Sequence, residues 1–91
     1  MKYIPINEIP QDFHKIPLQN GQEAVLHQVL LTVVPEISKT QEIMVYKYKV
    51  PCPLCGHEVI GFSYDGKVFA NIQLNCRWCG IFFRPVIKRL L

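Results

Sequence analysis

The chain has 91 residues, 49% of them hydrophobic and 11% aromatic, and a formal net charge of +3. A single domain of this size buries only about 60–65% of its unfolded surface, so cross-links help it to hold a fold. The composition excludes a disordered chain, and the small net charge excludes a nucleic-acid binder that relies on bulk positive charge.

The opening residues, MKYIPINEIP, carry proline and acid where a signal peptide needs an unbroken apolar run. The longest apolar-rich stretch, EAVLHQVLLTVV, is too short to span a bilayer. The expectation is a cytoplasmic protein without membrane contact, in which paired cysteines hold metal rather than form disulfides.

Residues 1–20 are broken by Pro5, Pro10 and Pro17, with Ile4, Ile6, Ile9, Phe13, Ile16 and Leu18 between them. This predicts an extended arm, too apolar to be free, docked on its own domain or on a partner. A short helical turn fits NEIPQDFHKI. Residues 21–50 form the second segment, a β hairpin or a helix followed by a strand. After the QNG turn, Gln22–Val34 reads two ways. Val25, Val29 and Val33 recur at helical spacing, whereas Val25, His27, Val29, Leu31 and Val33 alternate as in a strand. The valines and Thr32 favour strand; a helix here would make the fold α+β. Glu42–Val50 predicts a half-exposed strand with Met44, Tyr46 and Tyr48 on one face and Val45, Lys47 and Lys49 on the other.

Residues 51–91 form the third segment. It holds every cysteine, as two Cys-x-x-Cys pairs, Cys52/Cys55 and Cys76/Cys79. In each, two intervening residues let the chain turn back so that both sulfurs face one space. Gly56 and Gly80 then suit the positive-φ end of the turn. Asp65–Gly66 is a hairpin signal near the middle of the intervening stretch, with KVFANIQLN as the return strand. Val68, Ala70, Ile72 and Leu74 would share one face of it, and IFFRPVI would be the last strand. Spacing and strand pattern agree on one closed, four-sulfur structural zinc site. Four thiolates around Zn²⁺ bring the formal charge to about +1. The same sulfurs suit iron, and spacing alone does not separate the two metals. A redox pair would need one Cys-x-x-Cys opening a helix in a βαβ unit. His57 stands just outside the first pair and reads as a polar neighbour rather than a ligand. His14 and His27 have no spaced partners.

Four ligating cysteines close the shell that a catalytic zinc keeps open. With no nucleophile–base pair and no phosphate-binding glycine loop, the chain is expected not to be an enzyme. Arg77 and Trp78 sit between the second pair of ligands, with Phe69, Phe82, Phe83, Arg84, Lys88 and Arg89 nearby, and nothing acidic follows Asp65. Arginine interleaved with aromatics suits single-stranded nucleic acid, where bases stack on rings and cations meet phosphate. The bland alternative is that the phenylalanines fill the core and Trp78 shields the metal. Trp and Arg also favour protein interfaces.

VPCPLCGHEVIGF followed by NIQLNCRWCGIFFRPVI resembles the zinc ribbons of transcription and translation machinery. More narrowly, it is similar to small phage-type zinc-finger regulators related to Com. The resemblance implies a zinc-dependent regulator that binds RNA or DNA. It carries over Cys52, Cys55, Cys76 and Cys79. The loop between the pairs is longer here, and residues 1–50 have no counterpart.

The expected fold is therefore a small mostly-β zinc ribbon with a strand-containing N-terminal extension. The expected function is nucleic-acid binding through Phe69, Arg77, Trp78, Arg84, Lys88 and Arg89. The alternative is an adaptor or inhibitor that uses the apolar arm to grip a larger protein complex. Self-association through the Glu42–Val50 strand is a third reading.

Overall fold

The segment that read two ways is a long strand. In the computed structural model, which describes residues 1–64, 66, 68–70 and 73–88, β3 (Glu23–Val33) pairs antiparallel with β4 (Glu42–Pro51). A bulge interrupts the alternation of β3. Leu26 opposes Tyr48 and Gln28 opposes Lys47, so His27 is the extra residue. A bulge shifts the alternation by one. Ala24 and Leu26 are buried before it, Val29 after it, while Val25 is exposed. The valines predicted to share one strand face therefore lie on both. A mostly-β fold results, and the α+β alternative falls.

The proline-rich start adds two short strands to the same edge of β3. β1 (Lys2–Ile4) covers Val29–Leu31 and β2 (Lys15–Pro17) covers Glu23–Val25. Between them Pro5 and Pro10 open two single 3₁₀ turns, Ile6–Glu8 and Gln11–Phe13. Their φ values of −59° and −54° are those the pyrrolidine ring favours. The arm thus docks on its own sheet and sends Ile9, Ile16 and Leu18 into the core. His14 is satisfied, its Nε2 lying 2.9 Å from the Ile9 carbonyl oxygen.

β5 (Glu58–Ser63) pairs with the other edge of β4. The sheet order is therefore β1 and β2 side by side on β3, then β4, then β5. β4 is paired on both edges over Tyr46–Pro51 and, by β3 alone, on one edge over Glu42–Val45. Its inward face is as predicted, with Tyr46 and Tyr48 buried. Val45 on the outer face is also buried, beside its register partner Leu30.

The return strand differs from expectation. Among its described residues the one strand is β6 (Leu74–Asn75), and it pairs with β7 (Phe82–Phe83) rather than with β5. One bridge joins Phe69 to Ser63. Leu74 is buried, but Val68 is 62% exposed, and Phe69 is packed inward instead. The Phe69 ring meets Tyr48 edge-on at 5.9 Å, over Gly61, where no side chain stands in its way. Asp65 of the predicted turn and Ile72 of the predicted face lie outside the described residues. The predicted last strand shrinks to β7, and Ile87 beyond it bridges Leu18.

The core lies between the sheet's inner face and a cover made by the arm and the C-terminal segment. Tyr48 is at its centre, fully buried. Its hydroxyl proton is shared between the carbonyls of Phe13, at 2.7 Å, and Gly66, at 2.8 Å. Residues from all three predicted segments meet in this one cluster. Among the described residues no helix is long and apolar enough to cross a membrane.

Candidate metal centre and the surface beside it

Each cysteine pair occupies a hairpin turn. The first joins β4 to β5 and the second joins β6 to β7. The two turns repeat one backbone pattern. Cys52 N–H donates to the His57 carbonyl at 2.8 Å, and Gly56 N–H donates to the Cys52 carbonyl at 2.9 Å. In the second turn Cys76 N–H donates to Ile81 at 2.9 Å, and Gly80 N–H donates to Cys76 at 2.8 Å. Gly56 and Gly80 adopt φ of +80° and +79°, which glycine takes without the penalty a Cβ would bring.

The turns face each other across the end of the molecule. Cys52 Sγ is 3.6 Å from Cys79 Sγ, and Cys55 Sγ is 3.4 Å from Cys76 Sγ. All four sulfurs lie within 4.8 Å of one another. Four sulfurs at ~2.3 Å around one tetrahedral ion stand about 3.8 Å apart, so this cluster has the size to hold a single metal ion. Cys52 and Cys76 are buried, while Cys55 and Cys79 face the surface.

The thiols hold their protons unevenly. Burial works against ionising Cys52, but the N–H groups of Cys55 and Leu54 and the neighbouring sulfurs outweigh it, bringing its pKa down to about 6. For Cys55 the N–H of His57 favours the thiolate, yet burial and the three other sulfurs prevail and push the pKa up to about 12. Cys79 is likewise raised: the N–H of Ile81 favours the thiolate, but burial and the sulfurs of Cys52 and Cys76 oppose it more. Without a cation, four thiolates this close repel one another. A divalent ion removes that repulsion and displaces the protons.

His57 is not one of the clustered ligands. Its Nδ1 lies 3.3 Å from Cys55 Sγ, and its ring stacks on Trp78 at 4.5 Å and 19°. The pair ties one knuckle to the other. The sequence placed His57 beside the site but carried no sign of its aromatic partner in the other turn.

The remaining predicted contact residues are spread over the surface. Arg77 and Trp78 stand together at the tip, with Trp78 71% exposed. They line a groove of about 400 Å³ with Glu58, Val59, Ile60 and Asn75. Arg84 lines a different, more apolar cleft with Pro53 and Pro85. Lys88 lies farther along, its N–H bonded to the Pro17 carbonyl. Phe69 is half-buried in the core, and Arg89 lies outside the described residues. Sequence reasoning missed Glu58 and Ile60, which β5 brings to the tip from a distant part of the chain, and Asn75, which directly precedes the second cysteine turn.

Comparison of the chain with protein-family models, curated proteins and solved structures finds no match. These comparisons give the expected likeness to Com-related regulators no support, and the four-cysteine cluster is what stands of it.

Proposed function

We propose that this is a non-enzymatic module, stabilised by one zinc ion, that binds nucleic acid through the tip of its second cysteine turn. Zinc is favoured by the donor set. Four sulfurs in two matched turns make a closed tetrahedral shell, which suits a structural ion rather than a catalytic one. The observation that carries the nucleic-acid reading is the pairing of Arg77 with an exposed Trp78 along one groove. An indole offers a face to a base, and a guanidinium offers a fork to phosphate.

A mobility-shift titration of the zinc-loaded protein tests this, using single-stranded RNA, single-stranded DNA and duplex DNA at two salt concentrations. The expected result is binding that weakens steeply with salt and is lost in Trp78→Ala. Salt-insensitive binding, or none, would overturn it. The adaptor reading keeps one support, since Trp and Arg also dominate protein-binding hot spots. The arm that first suggested it is built into the sheet.

A further inference from the structure

The sheet has a second face, opposite the core, and its register can be read rung by rung. One rung is Val25, Lys49 and Ile60; the next is Gln28, Lys47 and Phe62. A third places Tyr3 beside Leu30 and Val45. Tyr3, Ile60 and Phe62 are 57%, 39% and 37% exposed, so this face offers apolar and aromatic surface to an incoming molecule. Ile60 also lines the groove of Arg77 and Trp78. The tip and the outer face are therefore one continuous surface.

We propose that this surface is a track for single-stranded nucleic acid, running from the groove at Trp78 over Ile60 to Phe62 and Lys47. The inference rests on the reading of the tip as a nucleic-acid contact and extends it. The face pairs ring surface with cations, as sequence-tolerant single-strand binders do. Lys49 stands beside Ile60, and Lys47 Nζ lies 5.7 Å from the centre of the Phe62 ring. A lysine over a ring at an exposed site is held more weakly than a stacked base. An incoming base displaces it and leaves the ammonium for a phosphate.

The acidic side chains set the orientation. Glu23 is engaged at 4.0 Å by Lys15. Glu58 lines the groove, so it repels phosphate and accepts hydrogen bonds from base amino groups. The strand then runs with base edges toward Glu58 and its phosphates toward Arg77 and Lys49. Duplex does not fit, because its bases are stacked on each other and cannot lie on these rings.

The test is fluorescence anisotropy with zinc-loaded protein and labelled pyrimidine oligomers of about 4 and about 12 nucleotides, a range spanning typical single-strand sites. Parent protein is compared with Trp78→Ala, with the double variant Phe62→Ala/Lys47→Ala, and with Lys47→Glu alone in case the double variant folds poorly. The track predicts that the face variants weaken the longer oligomer by roughly 10-fold and leave the shorter one unchanged. Trp78→Ala should weaken both. Face variants that bind the longer oligomer as the parent does would overturn the track and leave the tip reading standing. A parent that binds neither oligomer would overturn both. Equal binding to duplex would refute the single-strand assignment. A dimer in sedimentation that the face variants dissolve would show a protein interface instead.

Discussion

At the scale of single residues, Tyr48 carries more than its ring. The alternation of β4 placed it in the core, but its hydroxyl's partners, Phe13 and Gly66, could not be read from the sequence, since one of them is 35 residues away. Tyr48→Phe leaves those carbonyls without this donor. It should lower stability by about 1–3 kcal/mol, seen as an earlier urea midpoint with an unchanged slope. Two glycines should fail for different reasons. Gly80 has open space around it, so Gly80→Ala costs only its conformation, about 1–2 kcal/mol at φ +79°. At Gly61 a Cβ would stand 3.2 Å from Val50 and 3.3 Å from Phe69, so Gly61→Ala makes the Val50 methyl and the Phe69 ring beside Tyr48 shift to make room. Near-ultraviolet circular dichroism should change for Gly61→Ala and stay constant for Gly80→Ala. The need for glycine after each cysteine pair was legible from the motif. The need at Gly61 was not, because Phe69 reaches it across a loop.

At the scale of elements, the bulge in β3 makes a sharp prediction. Deleting His27 sets Leu26 and Gln28 directly opposite Tyr48 and Lys47, the partners they already have. Every inward residue keeps its face. This variant should stay folded with a melting temperature within about 4–8 °C of the parent, the span of a ~1 kcal/mol change. Deleting Val25 instead puts neighbouring residues on the wrong face and should destabilise the protein well beyond that span. The strand was half legible for the same reason. A bulge inserts one residue into a two-residue period, so no single alternation runs the length of the strand. The arm was legible as apolar and docked, but not as to what it docked on. Because Ile9, Ile16 and Leu18 fill the core, a chain lacking residues 1–18 should lose cooperative unfolding, checked by thermal melting.

At the scale of the whole molecule, the cysteine turns close one end of the sheet, so metal and fold should be linked. Chelating the metal should unfold the protein, read as loss of strand signal in circular dichroism. Cys79→Ser should reduce bound zinc and give the same loss. The direction with pH follows from the thiols. Cys55 and Cys79 have raised pKa values and hold protons at neutral pH, so metal binding releases them and apparent affinity rises with pH. Acid returns protons to the thiols, so zinc release measured with a colorimetric chelator should increase as the pH falls.

The sequence by itself determined the four-cysteine cluster, the turn glycines and the mostly-β character. Those are local matters, since two residues between cysteines and the alternation along β4 act over a few bonds. Only the tertiary structure decided which faces meet. The arm's docking on β3, the phase change at His27, the stack of His57 on Trp78 and the continuity of the tip with the outer face all join residues far apart in the chain. Their positions follow from packing against one shared core, and packing depends on all the elements at once.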